Sequence, residues 1–139
     1  MTKESTTDRW VLDLRGLPVR QVTASSDPAG NDPPRFALVL GAVTEVAVEG
    51  AVRMTNGPAT APGAVGLPVT AECGALVDAT VLSATGSHTG SLRLVFSTGH
   101  QVAVRGDDPG IRIRVRRPGA FEWVSGDGAG VLTPLDQGL

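Results

Sequence analysis

The sequence predicts an all-β fold, with two duplicated three-stranded units packed as a sandwich or partly open barrel and little or no helix. Three observations carry that expectation. Eighteen glycines and ten prolines punctuate the chain, and short runs of Val, Leu, Ile and Thr lie between them. No window long enough for an amphipathic helix keeps an apolar i, i+3, i+4, i+7 stripe. The chain also resembles itself: displaced by 56 residues, Val46-Ala47-Val48-Glu49-Gly50 falls on Val102-Ala103-Val104-Arg105-Gly106, the mark of an internal repeat.

Taken in order, the first strand runs from Trp10 to Leu14. Gly16-Leu17-Pro18-Val19 opens the first unit, residues 16–55, whose inner loop from Ser25 to Pro34 is long and polar. Phe36, Leu38 and Leu40 alternate toward a core, and Val46 and Val48 follow on the next strand. Val52 to Thr55 is a short closing piece, and Asn56 to Gly66 reads as a surface loop. A single helical turn is expected from Thr70 to Cys73, stopped by Gly74.

The second unit covers residues 74–117. Its opening, Gly74-Ala75-Leu76-Val77, matches the Gly16 quartet in kind, whereas Gly66-Leu67-Pro68-Val69 matches it in identity; both stay open as its start. A tight loop, Thr85 to Gly90, leads to Leu92, Leu94 and Phe96 on the core side. Ser97-Thr98-Gly99 turns the chain, and Val102 and Val104 return. Without a gap, six of the sixteen positions from Arg35 to Gly50 are identical to their partners in Ser91 to Gly106. Ile111, Ile113 and Val115 then alternate with arginines. Ser125 to Leu139 holds Gly-Asp-Gly turns and one strand at Val131-Leu132. Most of the aromatics Trp10, Phe36, Phe96, Phe121 and Trp123 are expected in or beside the core.

The chain is sized for one domain, read as residues 9–135 between a disordered start, 1–8, and a flexible tail, 136–139. At 41% apolar and 19% charged residues, its composition is that of a globular chain. The longest apolar run, Phe36 to Val43, is far short of the ~20 residues of a membrane span. Met1 to Asp8 lacks the apolar stretch of a signal peptide, and the single cysteine, Cys73, precludes an intrachain disulfide. Both point to the cytoplasm. The net charge of −2 supplies no overall attraction to nucleic acid or anionic lipid.

No chemistry-bearing motif stands out. His88 and His100, the two histidines, fall in expected turns, with no Gly-x-Ser-x-Gly elbow to suggest a nucleophile. One cysteine and two histidines make no zinc spacing. Asp27, Asp32, Asp107 and Asp108 are ordinary turn formers. Gly126-Asp127-Gly128-Ala129-Gly130 lacks the lysine and helix of a phosphate loop. The expectation is therefore a protein that is not an enzyme and carries no cofactor or metal.

The most distinctive segment is Ile111-Arg112-Ile113-Arg114-Val115-Arg116-Arg117. As a strand it shows Arg112, Arg114 and Arg116 on one face, and the same alternation turns Arg93 and Arg105 outward from the preceding hairpin. If these three strands pair, five arginines cover one sheet surface, while the first unit's equivalent surface carries Ala37, Glu45 and Glu49. Arginine forks suit carboxylates and phosphates; the negative net charge and the lack of aromatics on that face for base stacking count against nucleic acid. The bland reading of the same residues is a solvated face guarding an edge strand.

Residues Gly74 to Gly106, with the Leu92, Leu94, Phe96 and Gly99 hairpin, resemble a group of small uncharacterised proteins common in actinobacteria. Leu14-Arg15-Gly16 with Val19 and Val22 is similar to that group's opening, so the resemblance covers residues 10–106. The arginine strand and Phe121-Glu122-Trp123 depart from the group's usual ending. The group is a domain of unknown function; the resemblance implies a fold and, for small proteins of this kind, an immunity-type or accessory role.

The functional expectation is a non-catalytic cytoplasmic protein-binding domain. Its partner would be a protein with an acidic surface, a toxin in the most concrete form, rather than nucleic acid or membrane. The docking residues would be Arg93, Arg105, Arg112, Arg114 and Arg116, with Trp123 or Phe121 as an apolar anchor. Two alternatives are a structural subunit or homodimer joined through strand edges, and a small-ligand binder with a pocket between the sheets.

Overall fold

Most strands bury alternate residues, and the inward side chains of two sheets meet in one core. The structure, a computed structural model, describes residues 9–25, 34–56, 73–106, 110–126 and 128–135. Among these residues the chain forms β1 (Arg9–Val11), β2 (Val19–Ser25), β3 (Arg35–Leu40), β4 (Thr44–Glu49), β5 (Arg53–Asn56), β6 (Val81–Ser87), β7 (Leu92–Phe96), β8 (His100–Val104), β9 (Arg112–Arg117), β10 (Phe121–Gly126) and β11 (Ala129–Pro134). One sheet has the order β1-β6-β7-β8-β5, and the other β11-β10-β9-β4-β3-β2. All pairings are antiparallel. The expected all-β fold is observed, as two packed sheets that do not close into a barrel.

The two meanders β2-β3-β4 and β6-β7-β8 share one register. Leu38 faces Val46 in the first, and Leu94 faces Val102 in the second. Each has a bulge at the same place, between Val19 and Gln21 and between Val81 and Ser83. The strand after each meander crosses to the other sheet. Thus β5 sets Met54 against Val102 of β8, and β9 sets Val115 against Val46 of β4. Covering both sheets with strands from both meanders binds the halves into one core.

The halves also meet directly, where Pro18 and Thr80 form an isolated antiparallel bridge. Around it the backbone bonds are reciprocal. The Gly16 N–H donates to Val81 O at 2.8 Å and the Asp78 N–H to Val19 O at 2.9 Å. The Val19 N–H donates to Ala79 O at 2.8 Å and the Val81 N–H to Leu17 O at 3.0 Å. The quartet opening the second half is therefore Asp78-Ala79-Thr80-Val81, four residues later than the expected Gly74. Gly74 and Leu76 instead lie in a 3-10 turn, Cys73–Leu76, where the sequence pointed to a turn ending at Cys73.

This correspondence explains a backbone oddity. Gly16 has a φ of 89°, and its counterpart Asp78 has a φ of 74°, among the described residues the one non-glycine in left-handed space. Aspartate tolerates that region; a β-branched residue does not. Asp78→Val is expected to lower the unfolding free energy by about 1–2 kcal/mol and Asp78→Gly to cause no loss, both read by denaturant titration.

Other differences are local. β1 is shorter than the expected Trp10 to Leu14, although Leu12 and Leu14 are buried. β10 was not expected as a strand, and β11 is longer than Val131-Leu132. The expected disordered start and flexible tail lie outside the described residues, as do the Asp27, Asp32, Asp107 and Asp108 turns and most of the two long loops.

Candidate functional site

Alternation on β9 buries Ile113 and Val115 and leaves Arg112, Arg114 and Arg116 exposed. Pairing decides what surrounds them. β9 lies between β4 and β10, inside the six-stranded sheet, so its arginines guard no edge. β7 and β8, which carry Arg93 and precede Arg105, belong to the other sheet. The five arginines therefore do not share one surface: Arg93 and Arg105 lie on the opposite outer face. There Arg93 Nη2 donates to Gln101 Oε1 at 2.6 Å. The pairing condition fails because β9 crosses to β4 rather than continuing beside β8.

The outer face of the six-stranded sheet reads as three cross-strand rows. The first is Ser25, Arg35, Glu49, Arg112, Gly126 and Ala129. The middle row is Thr23, Ala37, Ala47, Arg114, Val124 and Val131. The third is Gln21, Val39, Glu45, Arg116, Glu122 and Thr133. Ala37, Glu45 and Glu49 thus stand beside the β9 arginines, so the halves are not segregated into a basic and an acidic surface.

Between the rows lies a groove of about 540 Å³, floored by Ala37 and Ala47 and bordered by Arg35, Glu49, Arg112 and Arg114. Alanines at facing outward positions leave the sheet backbone uncovered, with the Arg35 and Arg112 stems in the row to one side and Arg114 next to Ala47 in the same row. Arg35 Nη2 stands 3.5 Å from Glu49 Oε2, and Arg114 Nε donates to Glu122 Oε2 at 2.7 Å. Such exposed pairs contribute at most ~1 kcal/mol each. Arg112 makes no ion pair among the described residues, and its guanidinium lies over Gly126, where an added Cβ would sit 3.6 Å from Nη1. Three arginines against one glutamate give the groove a positive balance.

Trp123 cannot act as a surface anchor. It is 0% exposed, and Phe121 is 7% exposed. The Trp123 indole fills a slot against Gly86 and Gly130: a Cβ on Gly86 would lie 2.6 Å from Cε2, and one on Gly130 2.8 Å from Cζ2. Apolar surface beside the groove comes instead from Val124 and Val131, 45% and 58% exposed.

The histidines serve separate places. His88 stacks on Trp10 with ring centroids 4.0 Å apart, and His100 Nδ1 shares a hydrogen bond with Thr98 Oγ1 at 2.7 Å. Among the described residues no group of three His, Cys, Asp or Glu side chains is placed to hold a metal, and no helix is long and apolar enough to cross a membrane.

Sequence reasoning found the β9 arginines but missed Arg35 and the alanine floor. The available signal was the outward register of Ala37 and Ala47, two small residues at facing positions on consecutive strands. No curated protein and no solved structure matches the chain. One family does, described as a family of unknown function (DUF6188), over residues 10–111. That match takes in β1 to β8 and ends just before β9, so the groove joins strands inside the matched region to strands beyond it. With most of its length matched, the chain belongs to the DUF6188 family of unknown function.

Proposed function

We propose that the chain is a non-catalytic binding domain that engages an acidic protein partner through the outer face of its six-stranded sheet. The observation that carries this reading is the groove, where Arg35, Arg112 and Arg114 border a floor of Ala37 and Ala47. A face that serves only for solvation has no need of a bare floor beside charged side chains. Arginine forks favour carboxylates and speed the approach of an acidic surface. An immunity-type protein that blocks its partner is one concrete form of this reading. The reciprocal bonds around Pro18 and Thr80 further support duplication of one strand unit as the origin of both meanders.

The test is a pull-down with tagged protein from the host lysate, washed over a range of salt. The expected result is a partner retained by wild type, released as salt rises, and lost with Arg112→Glu/Arg114→Glu/Arg116→Glu. Arg93→Glu/Arg105→Glu, on the opposite face, should retain it. Retention by the triple variant and loss with the double one would move the site to the other sheet.

A further inference from the structure

Resting on the reading above, we infer that the groove receives one extended segment of the acidic partner, lying across the strands. A segment carboxylate sits in the Arg112 fork, and an adjacent apolar side chain rests on the Ala37–Ala47 floor.

Arg112 is singled out by its lack of competition. Arg35 already faces Glu49 and Arg114 is already bonded to Glu122, so a carboxylate docking on either must share or displace a resident partner. Among the described residues Arg112 makes no such ion pair, and Glu49, its cross-strand neighbour, is engaged with Arg35. Gly126 beside it has no side chain to cover that flank. Glu49 and Glu122 instead pair with the two other arginines that border the groove.

The floor sets the second requirement. Ala37 and Ala47 are directly paired neighbours on β3 and β4, about 5 Å apart across the sheet. Val124 extends the apolar lining on the far side of Arg114. Rows two residues apart along a strand are separated by roughly 7 Å, so the Arg35–Glu49–Arg112 row borders the alanines on one side at about that distance, while Arg114 stands next to Ala47 in the alanines' own row. A volume of about 540 Å³ is in the range of sites that enclose a ligand of a few residues.

Backbone recognition is not available here. β3, β4 and β9 are each paired on both sides, so their N–H and C=O groups are committed to the ladders and the segment cannot add as another strand. Specificity must come from side chains, which the floor and the fork supply. The positive balance of the groove selects carboxylate over ammonium or guanidinium.

The experiment selects phage-displayed random short peptides on the intact chain. Affinities of enriched peptides are then measured by fluorescence anisotropy for wild type, Arg112→Gln, Ala47→Leu and Arg93→Gln. Both groove substitutions lie at exposed positions, and matching thermal unfolding confirms that the variants fold. The expected peptides carry Asp or Glu next to an apolar residue. Arg112→Gln should weaken them about tenfold, the loss of one charge-assisted pair; Ala47→Leu, which fills the floor, should do likewise, and Arg93→Gln should change nothing. Peptides that lack a carboxylate but respond to Ala47→Leu would overturn the carboxylate assignment and leave the docking face standing. Peptides indifferent to both groove variants, or a selection that enriches nothing, would overturn the segment itself; in that case the pull-down separately decides whether a broader protein surface docks there.

Discussion

Trp123→Ala is expected to destabilise the protein by about 3–5 kcal/mol, the usual cost of emptying a buried aromatic site. The indole is fully buried in the shared core and packs against two glycines on different strands. The same geometry makes Gly86→Ala costly, since its Cβ would lie 2.6 Å from the ring. Overpacking of this kind costs about 1–3 kcal/mol. A cycle with Trp123→Phe distinguishes this contact from general strand effects. A smaller ring vacates the space, so Gly86→Ala should cost markedly less in the Trp123→Phe background. Denaturant unfolding of the four proteins reads both predictions. Equal costs of Gly86→Ala in both backgrounds would contradict the slot.

Gly106→Ala is expected to cost a similar amount, about 1–3 kcal/mol, because its Cβ would collide with the Gly90 backbone and the Thr89 carbonyl. The collision falls on a junction of three elements. The Gly106 N–H donates to Ser91 Oγ at 3.0 Å, and Ser125 Oγ donates to Gly90 O at 2.7 Å. The end of β8, the β6–β7 turn and β10 are thereby tied together, and the Gly130 N–H adds β11 through His88 O at 2.9 Å. Amide hydrogen exchange across this junction should quicken in the variant ahead of the Pro18–Thr80 seam at the other pairing site. Uniform acceleration would mean that the junction carries no local stability of its own.

Much of the architecture was legible because strand alternation is a local signal. Leu92, Leu94 and Phe96, and Val102 and Val104, are buried where period-two reading placed them, as are Phe36, Leu38, Leu40, Val46 and Val48. The 56-residue offset also holds in the register of the two hairpins. Which sheet receives the strand after each meander was not legible. That choice depends on burying both sheets against each other, and no residue of β9 records that its neighbour is β4 rather than β8. The candidate site inherited this gap. Arg112, Arg114 and Arg116 were identified, but their companions Arg35, Ala37 and Ala47 come from residues about seventy positions earlier, joined to them only by the crossing. The sequence admits Trp123 both as a core aromatic and as a docking anchor, and its full burial bears out the first and excludes the second. The glycines that make its slot, Gly86 and Gly130, lie on two other strands.

The measurement that tests the central claim most directly is a methyl NMR map of the isotope-labelled chain, with and without the partner captured by the pull-down. Binding at the six-stranded face predicts shifts at the Ala37, Ala47 and Val124 methyl groups, with Val95 and Ala103 on the opposite sheet unmoved. Shifts confined to Val95, Ala103 and their neighbours, with the alanine floor silent, would contradict it.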